Sequence, residues 1–166
     1  GASQADVACL MVPASTGGFE TAIQKGDGTV WCWGLPEPDG SATSSTPVFA
    51  VQALGIAGAT DIGCGPFSCC AAAGGNAWCW GSEGEGQQGD GTTSTARDTS
   101  PDRVVLADGT TPLGGVIGVE GGRSTNCALL NTQQVVCWGH GDDGNLGRGT
   151  LSDAANAGAP DVVMGL

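Results

Sequence analysis

Eight cysteines carry the most distinctive chemistry in this sequence of 166 residues. An even number at this density is typical of proteins that form disulfides in an oxidising compartment, because cytosolic thiols are kept reduced. Zinc binding is the competing chemistry, but nowhere are two cysteines separated by the two residues of a zinc knuckle. The cysteines therefore predict a disulfide-bonded protein, extracellular or at the cell surface, with no metal and no cofactor.

Acid–base chemistry would depend on His140, the single histidine, which lies in a glycine-rich stretch. No serine stands in a nucleophile elbow, and no cysteine is expected to be free for His140 to activate. Asp142, Asp143 and Asn145 have some likeness to a calcium loop but lack its alternating acidic spacing and distal Glu, so a weak calcium site there stays open. We expect no catalytic residue; an ordered cleft gathering His140 with carboxylates would favour an enzyme instead.

The net charge of −12 limits the partners that the chain can have. Nucleic acids and anionic membranes are bound by clustered lysines and arginines, and both are expected not to be partners. No apolar stretch approaches the roughly 18 residues of a membrane-spanning helix. A cationic protein partner, or a simply solvated acidic surface, fits this composition better. The positive residues are Lys25, Arg97, Arg103, Arg123 and Arg148.

A short motif occurs three times and organises the rest of the sequence. It reads Trp-Cys-Trp-Gly at 31–34 and 78–81, and Val-Cys-Trp-Gly at 136–139. Successive copies are 47 and 58 residues apart, and glycine-rich stretches follow the second and third copies. A repeat of this length predicts a series of small stacked units, so we expect a single domain over 1–166 with repeats at approximately 1–46, 47–100 and 101–166.

The units themselves are predicted to be β-sheets. Short β-branched and aromatic runs alternate with turns of Gly, Pro and Asn, and no window has a sustained 3.6-residue apolar period. Hairpins are predicted at 64–80, with its turn at Gly74-Gly75-Asn76, and at 124–138. Long polar loops follow each motif, at 35–46, 81–100 and 139–158. Further strands are predicted at 7–12, 19–23, 29–33, 47–51, 59–63, 101–106 and 115–119.

Residues 122–150 resemble the repeat of the regulator-of-chromosome-condensation family. They contain Cys127-Ala128-Leu129, then Cys-Trp-Gly and the series G-x-x-G-x-L-G-x-G-T. Residues 65–92 are a second copy with Gln88 for the leucine, whereas the first copy departs from the pattern after Gly34. The paired cysteines are similar to repeats of predicted secreted bacterial proteins. The resemblance implies a β-propeller built of four-stranded blades.

Roles for the tryptophans and cysteines follow from this resemblance. Large aromatic side chains would pack between adjacent blades. Two disulfides would cross the hairpins, Cys70–Cys79 and Cys127–Cys137. The tryptophans concerned are Trp31, Trp33, Trp78, Trp80 and Trp138.

The first repeat can be aligned in two ways. If 7–12 is its hairpin strand, with an insertion at about 13–25, then Cys9 pairs with Cys32 and leaves Cys64 with Cys69. We prefer this alignment because it accounts for every thiol. The alternative places Thr21 where the cysteine should be and leaves Cys32 without a hairpin partner.

Three repeats are too few for a closed ring, which needs at least about four blades. Exposed blade faces and edges favour head-to-tail association of copies, into a ring or a filament. We therefore expect a non-enzymatic extracellular propeller module that assembles with itself, binds protein through the loops, or both. The alternatives are a lectin-like module, or a fragment of a longer propeller such as a secreted inhibitor.

Overall fold

The computed structural model describes residues 20–34, 50–53, 55–94, 97–149 and 158–166. Within these ranges the chain forms eleven β-strands and no helix, in three antiparallel sheets. The all-β fold expected from the sequence is confirmed. No helix capable of crossing a membrane occurs in the described part of the chain.

The second and third sheets are four-stranded meanders, in the orders β4-β5-β6-β7 and β8-β9-β10-β11, and the first contains β1-β2-β3. We call them the first, second and third blade. Each motif lies on one strand, namely β2, β6 or β10, and the next strand in the chain is the last strand of the same blade. Because β3 begins after residue 46 and β7 spans residue 100, the blades end at other positions than the repeats predicted with bounds at 46 and 100. The strands are β1 Glu20–Gln24, β2 Val30–Gly34, β3 Val51–Gln52, β4 Ala59–Cys64, β5 Ser68–Ala73, β6 Asn76–Ser82, β7 Arg97–Arg103, β8 Val116–Gly121, β9 Thr125–Leu130, β10 Val135–Gly139 and β11 Asp161–Val162.

Hairpin register determines which cysteines meet. Cys70 lies opposite Cys79 on β5 and β6, and Cys127 lies opposite Cys137 on β9 and β10. Both pairs are disulfide-bonded, with Cα atoms 4.1 Å apart. These are the two hairpin disulfides that the resemblance implies.

A third disulfide joins Cys64 to Cys69 across the turn between β4 and β5. Cys69 and Cys70 are neighbours on one strand, so their side chains point to opposite faces of the second blade. Cys69 is buried towards the first blade and Cys70 towards the third. Adjacent cysteines can therefore form two separate disulfides.

The preferred alignment of the first repeat is wrong in its hairpin strand. Strand β2 pairs with β1 rather than with 7–12, and Ala22 lies opposite Cys32. The alternative alignment, which placed Thr21 opposite Cys32, differs from the structure by one position, since Thr21 lies opposite Trp33. A tight turn closes this hairpin, because the amide of Gly28 donates to the carbonyl of Lys25. Cys32 is fully buried, and Cys9 lies outside the described residues.

Two hydrophobic cores hold the blades together face to face. The core between the first and second blades contains fully buried Trp80, with half-buried Trp78 packed against it. The core between the second and third blades contains Trp138, also fully buried. Trp31 and Trp33 alternate with buried Cys32 on β2, so they lie on the face turned away from the second blade and are half-buried. Trp78, Trp80 and Trp138 thus lie at the junctions between the described blades, and the inter-blade role of Trp31 and Trp33 stays a prediction.

Asp-Gly-Thr sequences form local turns in which a following threonine donates hydrogen bonds to the aspartate side chain. The backbone N–H and the hydroxyl of Thr29 both donate to Asp27, at 3.0 and 2.6 Å. Thr111 donates in the same two ways to Asp108. Hydrogen bonds to the charged carboxylate stabilise it, and they lower the pKa of each aspartate from 3.8 to about 2.

We predict that Thr111→Val raises the pKa of Asp108 from about 2 towards its ordinary value of 3.8. Because folding lowers this pKa, the turn's contribution to stability is complete above pH about 4 and is lost as the pH falls towards 2. A carboxyl-carbon NMR titration would measure the change. Thr132→Val is the control, since the Thr132 hydroxyl bonds to the Gln134 side chain. An unchanged Asp108 titration in Thr111→Val would rule out the hydroxyl as the cause.

Candidate functional site

Two equivalent loops lie at the same end of the second and third blades. The loop after β6 contains Gly86 and Gly89, and the loop after β10 contains Gly144 and Gly147 in the matching places. All four have positive φ, between 64° and 73°. The backbone hydrogen bonds also match, since Gly89 donates to Gly86 as Gly147 donates to Gly144. The repeated glycine pattern therefore produces one loop conformation twice.

The glycine that ends each motif brings the start of its loop against a neighbouring turn. Gly81 has φ of 113°, and a Cβ atom there would lie 2.6 Å from the carbonyl oxygen of Phe67. Gly139, with φ of 100°, makes the same close approach to the carbonyl of Ser124. The amide of His140 then donates to that Ser124 carbonyl at 2.9 Å. Only glycine allows both the approach and the backbone conformation.

The loop of the second blade is attached to the third blade by buried hydrogen bonds. The carbonyl of Gln87 accepts from Asn126 Nδ2 at 2.7 Å and from Trp138 Nε1 at 2.9 Å. Asn126 also donates to the hydroxyl of Ser68 at 3.0 Å. Asn126 and Trp138 are fully buried, and Gln87 is 3% exposed. Sequence reasoning missed Asn126 and Gln87; the available signal was a polar asparagine within an otherwise apolar strand.

A groove of 590 Å³ opens at this end, between the second and third blades. Parts of two of the three predicted binding loops, 81–100 and 139–158, form its walls, and the third, 35–46, lies outside the described residues. Phe67 and Arg123 also line it, from the turns before β5 and β9. Neither was expected from the sequence, because no motif marks these turns.

His140 lies in the groove between carboxylates of both loops. Its Nδ1 atom is 3.4 Å from Glu85 Oε1, and its Nε2 atom is 3.9 Å from Asp142 Oδ2. The cleft thus gathers His140 with carboxylates, the arrangement named above as favouring an enzyme. A histidine that activates a nucleophile must turn one ring nitrogen towards it, whereas both nitrogens here face carboxylates. The geometry is that of an ion pair bridging two blades when the imidazole is protonated.

The possible calcium ligands all lie in the loop after β10. Asp142 contacts His140, and its side chain is 65% exposed, while Asp143 and Asn145 line the groove. Among the described residues, no three His, Cys, Asp or Glu side chains are grouped as a metal site. Among the described residues that line it, the groove is polar, with Phe67 as its aromatic side chain.

Stacked antiparallel sheets joined through buried tryptophans define the chain as a partial β-propeller. No protein-family model matches it. Its fold is similar to that of human WBSCR16, with 23% identity and a TM-score of 0.66 over 87% of this chain and 37% of that one. Prp20p from Saccharomyces cerevisiae is similar at 17% identity, with a TM-score of 0.66 over 89% of this chain and 37% of that one.

A chain from the structure of Kap60 bound to yeast RCC1 (Prp20) is also similar, at 17% identity and a TM-score of 0.63, over 89% of this chain and 36% of that one. The blades therefore have the RCC1-like repeat fold that the sequence pattern indicated. The chain spans little more than a third of the length of these proteins.

We predict that Trp138→Phe lowers the free energy of unfolding by about 2–4 kcal/mol, because it removes a buried hydrogen bond to Gln87 and leaves a cavity between blades. Urea denaturation of the oxidised protein would measure this. Trp31→Phe is the matched control: its Nε1 donates to the Thr29 hydroxyl at a half-buried site, and a loss of less than about 1 kcal/mol is expected. Equal losses in the two variants would contradict the role given to Trp138.

Proposed function

We propose that this chain is a non-enzymatic protein-binding module of propeller type that works in an oxidising extracellular environment. Its binding site is the groove between the loops of the second and third blades, and copies of the chain also associate head to tail through the outer blade faces. The observation that carries the proposal is the groove itself, whose walls come from two repeated loops, with the loop of the second blade fixed to strands of the third blade by buried hydrogen bonds.

Proteins of the same fold support a protein as the partner. Prp20p is described with its binding properties to Gsp1p and histones, and yeast RCC1 (Prp20) is bound to Kap60. Identity to these proteins is 17%, so their particular partners do not carry over. What they support is the class of ligand, a protein surface or segment.

The groove's side chains indicate which protein segments would fit. Glu85 and Asp143 provide two carboxylates against the guanidinium of Arg123, and the Glu85 side chain is 44% exposed. Phe67 offers an aromatic ring on which an arginine side chain can stack. The whole chain carries a net charge of −12, which attracts positively charged partners over several ångströms. We therefore propose a basic segment, with arginine or lysine placed between Phe67 and the two carboxylates.

Three disulfides within the described residues support an oxidising environment. Cys69, Cys70 and Cys79 are fully buried, and their disulfides join neighbouring strands of the second blade. Such bonds persist outside the cytosol, where thiols are not continuously reduced. This supports the extracellular or cell-surface location.

A carbohydrate ligand is the weaker alternative. Sugars are usually bound by stacking on exposed aromatic rings, and in the described groove the aromatic side chain is Phe67 alone. The tryptophans instead lie on strands, with Trp78, Trp80 and Trp138 at the junctions between blades and Trp31 and Trp33 half-buried on the outer face of the first blade. A glycan array separates this alternative from protein binding.

Selection of a random phage-displayed peptide library on the purified chain tests the groove. We predict that the selected peptides are rich in Arg and Lys, and that Glu85→Gln/Asp143→Asn weakens their binding by about 10-fold or more, as expected for the loss of two ion pairs. Affinity should also fall as the salt concentration rises, because the groove is exposed to solvent. Fluorescence anisotropy of a labelled selected peptide gives both values.

The matched control is Thr132→Lys/Gln134→Lys, at the hairpin turn on the opposite end of the third blade. This variant raises the net charge by two, as the groove variant does, but leaves the groove intact. If both variants lost the same affinity for the peptide, the loss would come from the overall charge. That result would contradict the groove as the binding site. Selection of neutral peptides insensitive to both variants would also contradict it.

A further inference from the structure

Each blade presents different residues on its two faces. The tryptophan after the motif cysteine faces the preceding blade: Trp80 lies in the core with the first blade and Trp138 in the core with the second. The motif cysteine faces the following blade, as Cys79 does towards the third. Each blade thus has one face that carries the motif tryptophan and an opposite face that carries the motif cysteine. At both described junctions the tryptophan-bearing face of one blade covers the cysteine-bearing face of the blade before it.

The surface of the second blade that receives Trp138 is well defined. It consists of the Cys70–Cys79 disulfide with Ala72 and Ala77, which lie opposite each other on β5 and β6. These four residues are fully buried beneath the third blade. The loop above them supplies the Gln87 carbonyl that accepts the Trp138 indole N–H.

The third blade repeats this receiving surface on its outer side. The Cys127–Cys137 disulfide takes the place of Cys70–Cys79, and Leu129 lies opposite Val135 as Ala72 lies opposite Ala77. Here, however, Leu129 is 38% exposed, and Val135 and Cys127 are half-buried. A shallow pocket of 330 Å³ lies over Cys127, Leu129 and Val135, and its edge at β8 is lined by Gly118, Glu120 and Asp61 of the second blade. We call these residues the outer pocket.

The loop above the outer pocket also matches its counterpart. Gly147 accepts the amide of Met164 at 2.8 Å, just as Gly89 accepts that of Val105 at 2.9 Å. Asn145 holds the position of Gln87 but is exposed, whereas Gln87 is buried beneath the third blade. By this correspondence of the two loops, the Asn145 carbonyl takes the place that the Gln87 carbonyl holds as acceptor of the Trp138 indole N–H.

The first blade provides the complementary face. Trp33 follows Cys32 as Trp138 follows Cys137, and it is half-buried where Trp80 and Trp138 are fully buried. Trp33 lies opposite Thr21, in the register that places Trp138 opposite Asn126. The Thr21 hydroxyl is thus a hydrogen-bond donor in the position of the Asn126 amide.

We infer that Trp33 of one copy inserts into the outer pocket of a second copy, with its indole N–H donating to the Asn145 carbonyl. This rests on the self-association proposed above and names the two surfaces that carry it. The interface is heterologous, since it joins two different faces, so each copy retains one further face for the next. Each chain carries a charge of −12, so the copies repel one another and association strengthens as salt screens that repulsion.

Complementation between two variants tests this interface. Trp33→Ala removes the inserting side chain but keeps the outer pocket, and Leu129→Asp places a charge in the pocket but keeps Trp33. We expect each variant alone to sediment as a 16.2 kDa monomer at concentrations where the natural chain associates. Mixed in equal amounts, the two should form a complex of twice that mass, which also shows that both variants are folded. Leu106→Asp is the matched control, because Leu106 is likewise 38% exposed but lies between the second and third blades in sequence.

The other outcomes separate the inference from the proposed function. A natural chain that stays monomeric at all concentrations and salt levels overturns both the self-association and this interface, and leaves the groove unaffected. Association that survives Trp33→Ala and Leu129→Asp overturns the inferred surfaces alone. Monomeric variants that fail to complement each other overturn the head-to-tail arrangement, and association lost in one variant alone indicates an interface between identical faces.

Discussion

One backbone carbonyl, that of Gln87, connects most of what is specific to this structure. A carbonyl oxygen has two lone pairs, and here both are used, by the side chains of Asn126 and Trp138. All of these groups are buried, so breaking either bond would leave a polar group without water. The loop of the second blade is therefore fixed by the third blade, and the walls of the groove are held in place by the core beneath them.

The sequence correctly predicted the features that depend on residues close together along the chain, namely strands and turns. Trp-Cys-Trp-Gly marks a strand, the glycine pair at 74–75 marks a two-residue turn, and the resemblance of the repeats to a known family implies propeller blades. Both glycines of that turn have positive φ, 58° and 74°, as a tight hairpin requires. The predicted strand pairing of the first blade was wrong because pairing every cysteine was given more weight than the local turn at 26–28. That turn closes the hairpin by itself.

The groove could not be predicted in the same way. Phe67, Glu85 and Arg123 lie on separate turns and loops, and they meet only because the second and third blades stack face to face. That stacking depends on side chains of different blades, such as Asn126 and Ser68, whose partners no local pattern reveals. Repetition along the chain therefore determines each blade, whereas contacts between blades determine the site.

The adjacent cysteines at 69 and 70 also affect how the second blade would respond to proteases. The Cys64–Cys69 disulfide encloses the turn between β4 and β5, and Cys70–Cys79 encloses the turn between β5 and β6. Turns are the segments that proteases cut most readily in folded proteins. A cut in either turn falls inside a covalent ring, so the two halves of the chain remain joined and no fragment is released. A second blade cut at either turn would therefore stay covalently connected.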